Sequence, residues 1–154
     1  MLQALRATAV LRSTRGKRAV PIEELILGFY ETCIEPDELL VEVRVPAAPP
    51  RAVYRKFRSR SSEDRPCVAV AAALSGDELR VVVGAVADSP QHFPDVCALA
   101  SGAPLDRELA TEIGRRYAER IEPIADARGS AAYRRRVTAV EVRRAVEELA
   151  GAAA

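Results

Sequence analysis

The sequence is poor in the residues that build metal centres, disulfide frameworks and large aromatic cavities. Its 154 residues include no Trp, three Phe, four Tyr, one His and three Cys. Cys33, Cys67 and Cys97 are far apart and form no CxxC pair, which argues against a disulfide framework or a zinc site and favours a reducing compartment. The single histidine, His92, leaves little material for a His-based metal site or a Ser-His-Asp triad.

Long apolar runs and an excess of one charge are also missing. No run approaches the roughly 20 apolar residues that cross a bilayer, and the N-terminus has no signal-peptide core. With 23 basic and 22 acidic side chains the net charge is +1, which gives no overall electrostatic case for a nucleic-acid or membrane partner. We therefore expect a cytoplasmic protein, and 154 residues of which 49% are apolar suit one domain with its own core.

The stretch from Tyr54 to Ala71 is the best candidate for a ligand site. It reads as a cationic strand, a polar turn and a buried strand: Lys56, Arg58 and Arg60, then Ser61-Ser62-Glu63-Asp64, then Arg65-Pro66 and residues 67–71. Fixed cations beside a loop can hold a phosphate or the electron-rich edge of an aromatic cofactor. The structural alternative is an Arg-rich sheet face that simply meets water.

The remaining pattern predicts a segregated α+β fold, with strands first and helices last. Apolar alternation indicates strands over residues 5–11, 39–45, 68–74 and 79–86, and a hairpin connection at Ser75-Gly76-Asp77 joins the last two. Short helices are predicted after Pro21, over residues 21–29, and over residues 93–100. Longer ones are predicted over residues 106–121 and from the capping residue Ser130 to about residue 150.

Two other segments have both a functional and a structural interpretation. Over residues 126–136, a Gly-Ser turn that opens a helix could present N–H groups to an anion, or Asp126, Arg128 and Tyr133 could lock the terminal helices together. The carboxylates at positions 35, 37 and 38 fit a solvated turn better than an acid/base pair. Leu40, just beyond them, is either a core side chain or a contact to a flat ligand. No P-loop, Gly-rich dinucleotide loop or nucleophile elbow is present.

Several short motifs, taken together and in order, resemble those of one known family. They are Gly16-Lys17-Arg18, Gly28-Phe29-Tyr30-Glu31-Thr32, Pro36-Asp37-Glu38-Leu39-Leu40, Val45-Pro46, Tyr54 with Lys56 and Arg60, and Asp126-Ala127-Arg128-Gly129-Ser130 with Tyr133-Arg134. The chain resembles, over nearly its whole length, the C-terminal domain of the FAD-binding subunit of molybdenum hydroxylases. That group includes aerobic carbon monoxide dehydrogenase and xanthine dehydrogenase.

The resemblance implies both an architecture and a role. The implied fold is an antiparallel sheet of three or four strands packed against a layer of about three helices. In the family this domain closes over the isoalloxazine ring of FAD. Electrons pass from a molybdenum centre through two iron–sulfur clusters to the flavin, and leave to NAD, oxygen or a quinone. The implied partners are an FAD-binding domain and the molybdenum and iron–sulfur subunits.

The resemblance assigns four residues to the flavin. Leu40 is expected to pack against the ring and Lys56 to lie near its polar edge. Arg65 occupies a loop position beside the ring face, with Asp64 next to it. Many family members have an apolar or aromatic side chain at the position of Arg65. An arginine there would either stack on the flavin and raise its reduction potential or mark the loss of the flavin role.

The resemblance also divides the chain and leaves two hypotheses open. Residues 1–20 are expected to be the remnant of a preceding FAD-binding region, residues 21–150 the family domain, and residues 151–154 a frayed tail. In the first hypothesis the chain is part of a flavin subunit and completes its site with another polypeptide. In the second it is a stand-alone module without flavin, which serves binding or assembly or takes another small molecule in the cleft. Exposed strand edges would favour self-association in either case.

Overall fold

Strands come first and the long helices last, as the sequence predicts, with one short helix among the strands. The computed structural model describes residues 1–47, 49, 51–58 and 65–151. The strands in these ranges are β1 (Thr8–Ser13), β2 (Gly16–Pro21), β3 (Ile26–Gly28), β4 (Glu31–Thr32), β5 (Leu39–Arg44), β6 (Arg51–Phe57), β7 (Val68–Ser75) and β8 (Glu78–Gly84). The helices are α1 (Ile22–Leu25), α2 (Pro94–Cys97), α3 (Arg107–Arg120) and α4 (Ala131–Gly151).

Strands β6, β7 and β8 form an antiparallel sheet in that order, and helices cover one of its faces. Helix α4 packs across all three strands, α3 packs on α4, and α2 packs on β8. Alternate residues of β7, namely Val68, Val70 and Ala72, enter a core that also contains Val142 of α4. The predicted α+β fold, with an antiparallel sheet against a helical layer, is confirmed.

A hairpin joins β7 to β8 as predicted, and its loop has two residues because Ser75 belongs to β7. The register pairs Ser75 with Glu78, which leaves Gly76 and Asp77 as the loop. Gly76 has a φ of +57°, in the left-handed region that glycine adopts without a steric penalty. The local turn signal therefore fixes the register of the most buried strand pair.

Both long helices begin with a side-chain cap: the cap at Ser130 is the predicted one, and the cap at Asp106, where the other helix is predicted to start, is an additional finding. The N–H of Leu109 donates to Asp106 Oδ1 at 2.8 Å, and the N–H of Tyr133 donates to Ser130 Oγ at 3.2 Å. The apolar spacing of α4 predicts a buried stripe of Tyr133, Val137, Val140, Val146 and Leu149, but Tyr133 is 39% exposed and Val140 is 37% exposed. Tyr133 nevertheless contacts Phe57 of β6 edge-on, with ring centroids 6.3 Å apart. The remaining members of the stripe are buried: Val137, Val146 and Leu149.

The first half of the chain forms a second antiparallel sheet in the order β2-β1-β5. Ala9 and Leu11 of β1 point into a small core with Val20 and Ile22. The strand predicted from residue 5 begins only at Thr8, because residues 1–7 form tight turns closed by backbone hydrogen bonds. Strand β5 pairs with β1 along one edge and is exposed throughout its length.

The helix predicted after Pro21 ends at Leu25 instead of continuing to Phe29. The carbonyl oxygen of Leu25 accepts a hydrogen bond from the N–H of Cys33 at 3.0 Å, so it does not receive the amide of Phe29 as a helix requires. The chain forms the β3-β4 hairpin instead, with Tyr30 at a φ of +56°. The hydrogen bond from Cys33, which lies outside the predicted helix, thus prevails over the helical spacing of the apolar residues.

Small side chains join the two halves of the described chain. Ala4, in the N-terminal turns, packs against Ala71, Ala73 and Val82 on the face of the β6-β7-β8 sheet that the helices leave free. At the edge of this contact Arg80 Nε donates to the carbonyl oxygen of Gln3 at 3.0 Å, and its guanidinium also pairs with Glu23. The N-terminal segment therefore belongs to the packing of the second sheet.

Replacing Gly114 with alanine is expected to destabilise the helical layer. A Cβ at Gly114 of α3 would overlap the carbonyl oxygen of Ala139 in α4 and would lie 3.3 Å from the amide nitrogen of Arg143. Because this neighbour is helix backbone and cannot move aside, we expect the free energy of unfolding in urea to fall by about 2 kcal/mol or more. Gly84→Ala is the matched control, since nothing lies within 4 Å of its Cβ position. Equal stability of the two variants would contradict the close approach of the helices.

Candidate functional site

The predicted cationic row begins on the face of the β6-β7-β8 sheet opposite the helices. Lys56 and Tyr54 are exposed there, with the Lys56 Nζ 5.4 Å from the centroid of the Tyr54 ring. Across the sheet Lys56 pairs with Ala69 and Tyr54 pairs with Ala71. Lys56 has no carboxylate within 4 Å among the described residues. A cation and an aromatic ring thus stand exposed beside Ala69 and Ala71, which are themselves buried.

Arg58 and Arg65 lie at the same end of the β6-β7 pair as Lys56. Both are exposed, and the N–H of Cys67 donates to the carbonyl oxygen of Phe57 at 2.8 Å, which closes the strand pair just beyond Arg65. The structure therefore brings Lys56, Arg58 and Arg65 to one end of one sheet. Three predicted members of this region, Arg60, Glu63 and Asp64, lie outside the described residues.

A buried guanidinium anchors this end of the sheet to helix α4. The Arg134 side chain is 1% exposed. Its Nη1 donates to the carbonyl oxygen of Cys67 at 3.0 Å and to that of Ala85, while its Nη2 donates to Asp126 Oδ1 at 2.6 Å. Asp126 also accepts from the N–H of Arg128 at 2.8 Å. The pKa of Asp126 is therefore held below its ordinary value, mainly by the hydrogen bond from the Arg128 backbone and further by the one from Arg134.

This network bears on the two interpretations of residues 126–136. The carboxylate of Asp126 and the Ser130 hydroxyl are both used within the protein, which favours the structural interpretation over an anion site. The connection runs from α4 to the strands, whereas the sequence suggested one between the terminal helices. Sequence reasoning did not single out Arg134 as buried. Its spacing with Val137 and Thr138, at i+3 and i+4 on the buried side of α4, is the signal that could have identified it.

Leu40 lies in the other sheet, on the exposed strand β5, and is itself 46% exposed. It pairs with Leu11 at an irregularity in the β1-β5 ladder. Other exposed apolar side chains on β5 and the β3-β4 hairpin are Leu27, Phe29, Leu39 and Val41. Leu40 is therefore not a core residue, and it belongs to an apolar surface that another molecule or segment could cover.

Ion pairs hold the acidic turn that precedes Leu40. The guanidinium of Arg18 binds both oxygens of Glu38 at 2.7 Å, and the N–H of Glu35 donates to Glu38 Oε2 at 2.9 Å. Arg15 pairs with Asp37 at 2.9 Å and with Glu35. The Arg18 hydrogen bonds lower the pKa of Glu38 to about 2. Carboxylates fixed in this way are structural and are poor proton carriers.

Metal-binding clusters and membrane-spanning helices are absent from the described ranges. No group of three or more His, Cys, Asp or Glu side chains is arranged to hold a metal ion. No helix there has the length and apolar character that a bilayer crossing requires. All three cysteines are free, and burial raises the pKa of the Cys67 and Cys97 thiols, whereas Cys33 is partly exposed.

Comparison with known families accounts for nearly the whole chain. The profile of the CO dehydrogenase flavoprotein C-terminal domain matches residues 52–149. The chain belongs to this family. A second profile, the FAD binding domain in molybdopterin dehydrogenase, matches residues 1–48. The resemblance inferred from the sequence motifs is confirmed.

Curated relatives of this CO dehydrogenase flavoprotein domain are medium subunits of several oxidoreductases. The chain is 31% identical to the nicotine 6-hydroxylase medium subunit of Paenarthrobacter nicotinovorans, over 96% of the chain and 54% of the relative. It is 32% identical to the glyceraldehyde dehydrogenase medium chain of Sulfolobus acidocaldarius, over 97% of this chain and 55% of that relative. Identity to the carbon monoxide dehydrogenase medium chain of Afipia carboxidovorans is also 32%, over 96% and 53%. The chain thus spans about half the length of these relatives.

Solved structures have the same fold. Quinoline 2-oxidoreductase from Pseudomonas putida 86 superposes with a TM-score of 0.91 at 25% identity, over 99% of this chain and 55% of that one. Reconstituted CO dehydrogenase from Oligotropha carboxidovorans superposes with a TM-score of 0.86 at 29% identity, over 97% and 55%. The assignment of Leu40, Lys56, Asp64 and Arg65 to a flavin stays a prediction.

The Arg18–Glu38 ion pair is expected to make stability depend on pH in acid. Because the folded-state pKa of Glu38 is about 2, below the ordinary 4.5, its contribution is present above pH 4.5 and is lost as the pH falls toward 2. The urea midpoint of the unmodified protein should therefore fall more steeply over this range than that of Glu38→Gln. Glu24→Gln is the control and should keep the steep fall, because Glu24 is exposed and has no cationic side chain within 4 Å in the described part of the chain. Parallel pH profiles for Glu38→Gln and the unmodified protein would contradict this role.

Removing the Arg134 guanidinium is expected to destabilise the protein strongly. Arg134→Met keeps much of the aliphatic stem but removes the donor to the carbonyl groups of Cys67 and Ala85 and one of the donors to Asp126, so the free energy of unfolding in urea should fall by about 3 kcal/mol. Arg135→Met is the control. Arg135 is exposed and has no carboxylate partner among the described residues, so its change should stay within about 0.5 kcal/mol. Similar losses in the two variants would show that Arg134 is not a special anchor.

Proposed function

We propose that this chain is part of the flavin subunit of a molybdenum hydroxylase-type oxidoreductase in the cytoplasm. In this role it covers the isoalloxazine ring of FAD and helps electrons pass from iron–sulfur clusters to an acceptor. The main support for the proposal is that two flavin-related family profiles match neighbouring parts of the chain, residues 1–48 and residues 52–149. The relatives that match over almost all of this chain are medium subunits of oxidoreductases, which agrees with it.

The residues present suit a flat, electron-accepting ring. FAD supplies the electron-carrying chemistry, and the chain supplies its surroundings. Lys56 is a cation without a carboxylate partner in the described part of the chain, beside the small side chains Ala69 and Ala71. At the polar edge of the ring it would stabilise the negative charge that reduction creates. Arg65 would add positive charge from the same end of the sheet, with Asp64 next to it, and Leu40 would offer an apolar contact.

The rest of the flavin site would come from elsewhere. The region that holds the ADP and pyrophosphate of FAD, and the molybdenum and iron–sulfur subunits, are the proposed partners. The sequence predicts that the remnant of the FAD-binding region ends at residue 20. We propose instead that the boundary between the two regions lies between residues 48 and 52. Strands β1, β2 and β5 share one sheet that ends at Arg44, and β6 opens the next sheet at Arg51, which supports the later position.

The test is the visible spectrum of the purified chain, recorded alone and after co-expression with the candidate partner subunits. Flavin absorbance that appears or strengthens with the partners would support the proposal. A flavin-free chain under both conditions would contradict it and would favour the stand-alone binding or assembly module. In the flavin-containing sample, anaerobic reduction by substrate would then show whether electrons reach this flavin.

Lys56→Ala is expected to weaken FAD binding and lower the flavin reduction potential. Loss of one charge-assisted contact should reduce FAD affinity by roughly tenfold, as measured by fluorescence titration of the complex after flavin removal. The reduced flavin loses a stabilising cation, so the potential should become more negative. Lys17→Ala, which changes the other lysine of the chain, is the control and should leave both quantities unchanged. Unaltered affinity and potential in Lys56→Ala would remove Lys56 from the site.

A further inference from the structure

The outer surface of the helical layer contains a shallow groove that the proposed flavin role does not use. It lies between α3 and α4, has a volume of about 670 Å³ and has small or apolar side chains at its base, namely Ala118, Ala139 and Val140. Gly114 allows the two helices to approach closely at this point. Val140 is 37% exposed, so the base of the groove is open to contact. We call this surface the α3–α4 groove.

Arginines border the α3–α4 groove: Arg115, Arg135, Arg136 and Arg143. Arg115 is neutralised by Glu112 and Glu119, and Arg143 lies 3.8 Å from Glu147. The other two have no carboxylate within 4 Å among the described residues. The rim therefore carries two uncompensated positive charges.

The lack of partners is specific to these two positions. Each of the other arginines on α3 and α4 has a carboxylate within 4 Å: Arg107, Arg115, Arg116, Arg120, Arg134, Arg143 and Arg144. The net charge of the whole chain is only +1, so a general excess of cations does not explain the pattern. An apolar base with unpaired cations on its rim is complementary to apolar side chains flanked by carboxylates.

We propose that the α3–α4 groove is the docking surface for an acidic amphipathic helix supplied by a partner subunit of the complex. This inference rests on the proposed function. A helix places apolar residues along one face and carboxylates on its flanks, which matches the base and the rim of a groove between two helices. Arg135 and Arg136 would then pair with the partner's carboxylates, and Val140 would contact its apolar face.

Two other occupants fit the groove less well. In a symmetric contact with a second copy of this chain, the same cationic rims would face each other, which is unfavourable. An anionic lipid surface is usually recognised by clusters of about four to eight basic residues, together with bulky apolar side chains that insert between lipids. Arg135 and Arg136 are only two such charges, and alanines form most of the base.

The test compares assembly of charge-reversed variants with the purified partner subunits. Arg135→Glu combined with Arg136→Glu should weaken the dissociation constant of the complex at least tenfold, and added salt should weaken the unmodified complex more than the variant one. Lys17→Glu with Arg107→Glu reverses two exposed charges outside the groove and should assemble normally. Val140→Asp, which keeps the rim intact, should also weaken assembly.

The outcomes separate the two proposals. Normal assembly of the Arg135/Arg136 variant and of Val140→Asp would overturn the docking site and leave the proposed function standing. Loss of binding to phosphatidylserine vesicles with unchanged assembly would overturn it in favour of a lipid surface. Unmodified protein that neither joins the partner subunits nor contains flavin would contradict both proposals. Circular dichroism of each variant confirms that the fold is retained, which the exposure of both arginines predicts.

Discussion

The hydrogen bonds of one buried guanidinium, Arg134, connect the three parts of the second half of the chain. They join helix α4 to the segment that enters β7, to the residue that follows β8, and through Asp126 to the connection between α3 and α4. Burying a charge is costly, and here three hydrogen bonds, two to carbonyl oxygens and one to a carboxylate, offset that cost. The geometry of the cationic end of the sheet, where Lys56 and Arg65 lie, depends on this anchor because Cys67 follows Arg65 by only two residues.

The N-terminal turns and the β6-β7-β8 sheet owe their contact to small residues. Alanines at positions 4, 71 and 73 allow the N-terminal turns to lie directly on the outer face of β7 and β8, and Arg80 fixes the edge of that contact. The same face carries Lys56 and Tyr54 farther along the sheet. The N-terminal turns cover Ala71, so the proposed flavin surface is limited to the part of this face around Lys56 and Tyr54. The helices on the other face remain free to serve as an interface, so the two proposed activities use opposite sides of one domain.

Local signals in the sequence predicted the elements whose ends they specify. Asp106 and Ser130 cap helices, Gly76 sets a hairpin, and alternation placed Lys56 on the exposed face of β6. The predictions that failed concern elements whose ends depend on contacts from outside the segment. At α1, for example, the N–H of Cys33 donates to the carbonyl oxygen of Leu25 and the helix ends there. Arg134 was hidden in a run of three arginines, since residue type alone does not tell which of the three faces the core. The flavin contacts cannot be worked out from this chain alone, because residues supplied by other segments or subunits would help to set them.

The unequal burial of the three thiols has a practical consequence. Cys67 and Cys97 lie within the core, where burial disfavours the thiolate that reacts with electrophiles. Cys33 is partly exposed, and its carbonyl oxygen accepts from Arg18, the partner of Glu38. A maleimide dye should thus label the natural protein at a single position near the acidic turn before Leu40. Fluorescence from that position would report the arrival of a cofactor or subunit without any engineered cysteine.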